Sequence, residues 1–140
     1  ESAGELERAI RVGEQLGIAP RVAVRVNPDF ELKSSGMKMS GGPKPFGIDA
    51  EQVPSVLKRI GDSAAYFRGF HIFSGSQNLR PDSLIEAQNA TFELALRLAD
   101  DAPSAIEMLN IGGGFGIPYF PGEQRLDLAS VSENLQLRLQ

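Results

Sequence analysis

The sequence contains no cysteine and only one histidine, His71. The first absence excludes disulfides and a thiolate zinc site, and the second leaves little for a metal centre built on imidazole, so no metal ligand set is expected. There is no block of basic residues and the net charge is -4, which gives nothing for nucleic acid to bind. No apolar run approaches the roughly 18 residues of a membrane span. What is present is ordinary: 41% apolar and 23% charged residues over 140 positions, enough for one domain with a real core. The expectation is a soluble cytoplasmic protein whose chemistry depends on a bound organic cofactor. The chain opens at Glu1 without a methionine or signal peptide and stops at Gln140 inside a helical pattern, so it is expected to be a piece of a longer protein.

Ser2 and Glu5 have the spacing of a capping box, and Leu6, Ala9, Ile10, Gly13 and Leu16 follow at helical spacing before Gly17. Residues 21–27 (RVAVRVN) are rich in valine and read as a strand closed by Pro28. Residues 29–48 show no periodicity and are crowded with Ser, Gly and Pro. Such a loop in a compact domain has a job or is disordered. Its Lys33, Lys38 and Lys44 either meet an anion or partner chain or are simply solvated.

A second helix is predicted to begin near Glu51, with Pro54 in its first turn and Val53, Val56, Leu57 and Ile60 on its buried face. Residues 64–73 (AAYFRGFHIF) read as a second strand. Pro81 opens a third helix with Leu84, Ala87, Thr91, Leu94 and Leu98 as its apolar stripe. A buried strand over 106–111 then runs into Gly112, Gly113 and Gly114, residues 118–122 form a turn, and a last helix starts at Asp127 or Ser130.

This alternation implies parallel strands. Three βα units fit either part of a doubly wound sheet or an arc of a (β/α)₈ barrel. The unusual residues, Asn27 with Pro28, residues 71–74 and the glycine run, all fall at C-terminal strand ends, an edge that both architectures use. Consecutive glycines let the backbone approach a ligand so that N–H groups converge on an anion, a phosphate being the obvious guest. A tight turn after a strand explains the same residues.

Taken together, FHIFSGSQ at 70–77 and LNIGGGFGIPY at 109–119, preceded by RVAVRVNP at 21–28 and PFGID at 45–49, resemble the pyridoxal-phosphate-dependent decarboxylases of the alanine-racemase-type barrel, which act on diaminopimelate, ornithine or arginine. The resemblance covers nearly the whole chain and implies a partial (β/α)₈ barrel, in which residues 1–140 are an internal part of the cofactor-binding barrel domain and a C-terminal β-domain lies outside them. It implies pyridoxal 5'-phosphate as cofactor, His71 stacked on the pyridine ring, and Arg25 beneath the cofactor. It further implies that Ser74 contacts the phosphate, beside N–H groups of Gly112, Gly113 and Gly114. By strand alternation, an Arg25 that points into the barrel must have its charge paired there.

Three departures mark this sequence. Phe73 stands where a glycine is usual, Gly75-Ser76-Gln77 lengthens the motif so that Ser74 or Ser76 can be the phosphate contact, with spacing from His71 favouring Ser74, and Pro45 replaces a lysine. The variant looks most like a branch tied to biosynthetic gene clusters, whose members include decarboxylases of glutamate tethered to an acyl carrier protein. The resemblance implies loss of carbon dioxide from an amino acid, free or carrier-bound, by a homodimer. It places the cofactor-anchoring lysine upstream of Glu1, so that residues 1–140 alone are expected to be inactive. A non-catalytic regulatory homologue, or a racemase of the same fold, is the alternative.

Overall fold

A computed structural model describes residues 1–30 and 45–140 of the chain. Ser2 caps the first helix as its spacing predicts: its hydroxyl accepts the Glu5 N–H at 3.2 Å while the Glu5 carboxylate accepts the Ser2 N–H at 3.1 Å. The helix, α1 (Ala3–Leu16), ends at Gly17 and buries Leu6 and Ile10; Leu16, counted in its apolar stripe, is exposed. The valine-rich stretch forms β1 (Arg21–Asn27). Lys33, Lys38 and Lys44 lie outside the described residues.

A short strand, β2 (Ile48–Asp49), appears where the sequence reading ended its loop. It pairs in parallel with the end of β1, Val26 with Ile48 and Asn27 with Asp49. A 3-10 turn, Ala50–Gln52, then leads into α2 (Val53–Gly61), so the regular helix begins two residues later than expected. The cause is Pro54, whose missing N–H prevents α-helical bonding from reaching back into the preceding turn. Val53, Val56, Leu57 and Ile60 are buried as predicted.

The remaining elements are β3 (Tyr66–Ile72), α3 (Pro81–Ala99), β4 (Met108–Asn110) and α4 (Leu128–Arg138). All five residues of the α3 stripe are buried, and Asp127 caps α4 by accepting the Ala129 N–H. By contrast β4 is shorter than the apolar run 106–111 and is not buried, with Met108 at 41% exposure. Among the described residues it pairs on one side only, with β3, which leaves its other edge open.

The four strands form one parallel sheet in the order β2-β1-β3-β4. Val24 and Val26 of β1 and Phe70 and Ile72 of β3 join a single apolar cluster with Leu6 and Ile10 of α1, the buried face of α2, and Leu94, Ala95 and Leu98 of α3. The helices therefore cover one face, and the alternate residues Ala23, Arg25, Asn27, Gly69 and His71 take the other. A doubly wound sheet has helices on both faces; helices on one face, with β1, β3 and β4 as neighbours in chain order and the two-residue β2 added beside β1, match an arc of a (β/α)₈ barrel.

A bulge in β3 keeps this division of faces. Val22 pairs with Phe67 but Ala23 pairs with Gly69, so Arg68 is an extra residue. Simple alternation would put Phe67 on the face opposite Phe70; the extra residue returns it to the core, where the two rings meet edge to face at 5.3 Å. Both are almost fully buried, each contributing about 1.5–3 kcal/mol. Beyond the bulge, Gly69 sits at φ 144° against the backbone of Met108. No helix among the described residues is long and apolar enough to cross a membrane.

Candidate functional site

Register sets the first part of the site. Arg25 of β1 pairs with His71 of β3, and His71 pairs with Asn110 of β4, so three polar side chains form a row across the C-terminal strand ends on the face away from the helices. The Arg25 charge is paired: Nη1 donates to Glu1 Oε1 at 2.6 Å. Its guanidinium also lies over two aromatic rings, 5.5 Å from the centre of Phe46 and 5.9 Å from that of Phe73. Burial first, and then the neighbouring Arg25 charge, hold the His71 imidazole below its ordinary pKa, which keeps the ring neutral at pH 7. Its side chain makes no hydrogen bond among the described residues.

Just past the strand ends, Ser74 lines a crevice with Gly112 and Gly113, floored by Leu84, Ala87 and Gln88 of α3. Its volume of ≈ 20 Å³ takes one oxygen-sized group. The three glycines do not act as one set of donors. Asn110 Oδ1 accepts the Gly112 N–H at 2.9 Å, whereas the Ser74 hydroxyl and the N–H groups of Gly113 and Gly114 have no partner among the described residues. Donors without partners facing a crevice of this size fit one oxygen of a phosphate. Gly114 also has a packing role. Its φ is 78°, and a Cβ there would collide with the Gly75 carbonyl, whose carbon would be 3.1 Å away.

A larger cleft of ≈ 310 Å³ opens beside the row, between Arg25, Asn27, Phe46, Phe73 and Ser76. That size suits a small organic ligand. The two serines thus part company, Ser74 lining the glycine crevice and Ser76 the Arg25 cleft. Asn27 donates to Asp49 Oδ1 at 2.7 Å, so the short β2 fixes a polar pair at the rim of this cleft. Among the described residues no group of His, Asp and Glu is placed to hold a metal ion.

Sequence reading missed Phe46, Asp49 and Asn78. Asn78 joins the two strand-end loops, donating its N–H to Gly114 O and accepting that of Gly116, both at 2.8 Å. Their partners across the site lie 21 to 38 positions away. The role of Asn110 is readable from its position, since an Asn two residues before a glycine has the spacing of a side chain that accepts the i+2 N–H.

Residues 1–140 match in full the family model described as "Pyridoxal-dependent decarboxylase, pyridoxal binding domain". The chain is 35% identical over 136 residues to L-glutamyl-[BtrI acyl-carrier protein] decarboxylase of Niallia circulans, covering 96% of this chain and 32% of that protein. It is 30% identical over 112 residues to diaminopimelate decarboxylase of Thermoplasma acidophilum, covering 79% and 28%. The solved structure of diaminopimelate decarboxylase from M. jannaschii matches with a TM-score of 0.83 at 27% identity, over 98% of this chain and 32% of that one. The chain thus spans about a third of the length of these relatives.

Proposed function

Because the chain belongs to the pyridoxal-dependent decarboxylase family, as its pyridoxal-binding domain, we propose that it holds the phosphate and one ring face of pyridoxal 5'-phosphate in an amino-acid decarboxylase. The supporting observation is the Ser74–Gly113 crevice, one step beyond the row that Arg25, His71 and Asn110 make across adjacent strands. When bound, the cofactor supplies an electron sink for the electron pair left behind as carbon dioxide departs. The chain's own residues hold and orient. The Ser74 hydroxyl and the Gly113 N–H donate to a phosphate oxygen. The neutral His71 ring offers a flat face without adding charge. Arg25, fixed by Glu1 and two aromatic rings, places a cation under the site.

The substrate is an amino acid, free or tethered to a carrier protein. One relative is named for a carrier-tethered glutamyl group and another for diaminopimelate. The larger cleft is lined by Arg25, Phe46 and Phe73, and the carboxylates beside it are engaged, Glu1 by Arg25 and Asp49 by Asn27. Such a lining disfavours the distal ammonium of a diamino acid and favours the tethered substrate. In this reading residues 1–140 are an internal part of the barrel domain, with the cofactor-anchoring lysine and a C-terminal β-domain elsewhere in the polypeptide. The whole protein is a cytoplasmic homodimer.

The test is an assay of the full-length protein for carbon dioxide release from diaminopimelate and from carrier-bound glutamate, with cofactor binding followed in parallel. Release from the carrier-bound substrate is expected. Cofactor binding without release from either substrate would leave a non-catalytic homologue, and interconversion of enantiomers without release would make it a racemase.

A further inference from the structure

The crevice has three walls, from three parts of the chain: the loop after β3 with Ser74, the glycine loop after β4, and the first turns of α3. All three meet at Asn78. Its backbone forms the parallel bridge to Phe115, giving its N–H to Gly114 O and taking the Gly116 N–H. Its side chain reaches the other way. Nδ2 donates to the hydroxyl of Ser83, which is 1% exposed, at 2.9 Å, while Oδ1 accepts the Arg80 N–H at 2.9 Å just before α3 begins. Gln77 adds a further tie, donating from Nε2 to Ile117 O at 2.6 Å, and does so at φ 53°, uncommon for a residue with a side chain.

We propose that Asn78 is a positioning residue for the phosphate site: it sets the separation between Ser74, Gly113 and the α3 floor without touching the cofactor itself. The inference rests on the Ser74 crevice being the phosphate site. The physical reason is that a crevice admitting one oxygen tolerates little change in width, and hydrogen bonds weaken steeply when donor and acceptor are misplaced. Replacing the Asn78 side chain leaves both backbone bridges possible but releases them from α3, so the two loops can move together away from their floor.

The test uses the full-length protein freed of cofactor, with pyridoxal phosphate and then pyridoxal, which lacks the phosphate, titrated into wild type, Asn78→Ala and Asn78→Asp. Asn78→Ala is expected to weaken pyridoxal phosphate about tenfold and to change pyridoxal by less than about twofold. Asn78→Asp keeps the acceptor for Arg80 and can accept from the Ser83 hydroxyl in place of donating to it, so a smaller loss than in Asn78→Ala is expected, to which the new negative charge near the phosphate adds. Unchanged phosphate-ligand affinity in the variants, or equal losses for both ligands, would overturn the role of Asn78. Wild type binding both ligands equally would instead refute the phosphate reading of the crevice. If melting shows that Asn78→Ala does not fold, the two-ligand comparison on Ser83→Ala, which removes the acceptor of Asn78 Nδ2 without adding charge, decides the matter.

Discussion

Gly69→Ala is the substitution whose consequences follow most directly from the packing of the sheet. Gly69 follows the β3 bulge at φ 144°, and a methyl group there would overlap the Met108 carbonyl, with the carbonyl carbon at 2.8 Å and the Met108 nitrogen at 3.1 Å. These are backbone atoms, so no rotamer change relieves the clash; β4 has to part from β3. The positive φ costs on the order of 1–3 kcal/mol for a residue with a side chain. Loosening the pairing of Gly69 with Met108, Phe70 with Leu109 and His71 with Asn110 adds about 1 kcal/mol per lost hydrogen bond. A total of roughly 3–5 kcal/mol is expected from those terms. Asn110 and the glycine loop hang on β4, so cofactor affinity should fall as well. Gly61→Ala is the control: its methyl would meet the Pro103 Cβ at 3.1 Å, a side-chain atom, at the end of a helix where alanine is favoured, and about 1 kcal/mol or less is expected. Urea unfolding of the full-length protein with a parallel cofactor titration measures both effects. A Gly69→Ala protein as stable as Gly61→Ala, and binding cofactor as wild type does, would refute the placement of β4 against the bulge.

Two further outcomes separate the parts of the site. Ser74→Ala should weaken pyridoxal phosphate about tenfold with little effect on pyridoxal, while Ser76→Ala, in the other cleft, should leave the ratio between the two ligands unchanged; the reverse pattern would assign the phosphate to Ser76. His71 has a folded-state pKa below its ordinary value of 6.5. As pH falls through 6.5 the unfolded chain takes up a proton on His71 that the folded one does not, so this group's contribution to stability is present above that pH and lost below it. Unfolding free energies measured between pH 7.5 and 5.5 should therefore fall less steeply in His71→Gln than in wild type, and equal slopes would show that His71 is not half-buried beside Arg25.

The elements that sequence predicted best are those encoded locally. The capping box at Ser2, the valine-rich β1 and the 3.6-residue stripe of α3 each carry their own signal within a single element, and each forms where expected. The likeness to pyridoxal-dependent decarboxylases was equally legible, because it rested on four stretches in order along the chain, and the family match covers the same span. What sequence did not reveal depends on partners distant in the chain. The two residues of β2 form a strand only because the end of β1 offers them an edge, and the bulge at Arg68 exists only relative to the register of β1. Exposure of β4 reflects the absence of a second neighbour among the described residues, which an apolar run such as 106–111 cannot signal.

The three glycines of the run have different surroundings. At Gly112 a Cβ would lie 3.1 Å from Cδ2 of Phe73, so the large ring that departs from the usual pattern after β3 is accommodated by a missing side chain after β4. Gly113, with its N–H unengaged among the described residues, lines the crevice beside Ser74. Gly114 admits the Gly75 carbonyl and lets the two loops join through Asn78. The side-chain-free positions of Gly112 and Gly114 are thus required by the packing of the β3 loop against the β4 loop, while the N–H groups of Gly113 and Gly114 are unengaged among the described residues. It follows that Phe73 and Gly112 are coupled. Gly112→Ala should be disruptive in the wild-type background and substantially milder when combined with Phe73→Gly, which removes the ring the methyl would strike but leaves the cost of alanine at φ 74°. A double-mutant cycle on cofactor affinity and unfolding free energy reads that coupling directly. Strict additivity would mean that the ring and the glycine do not share the space the structure gives them.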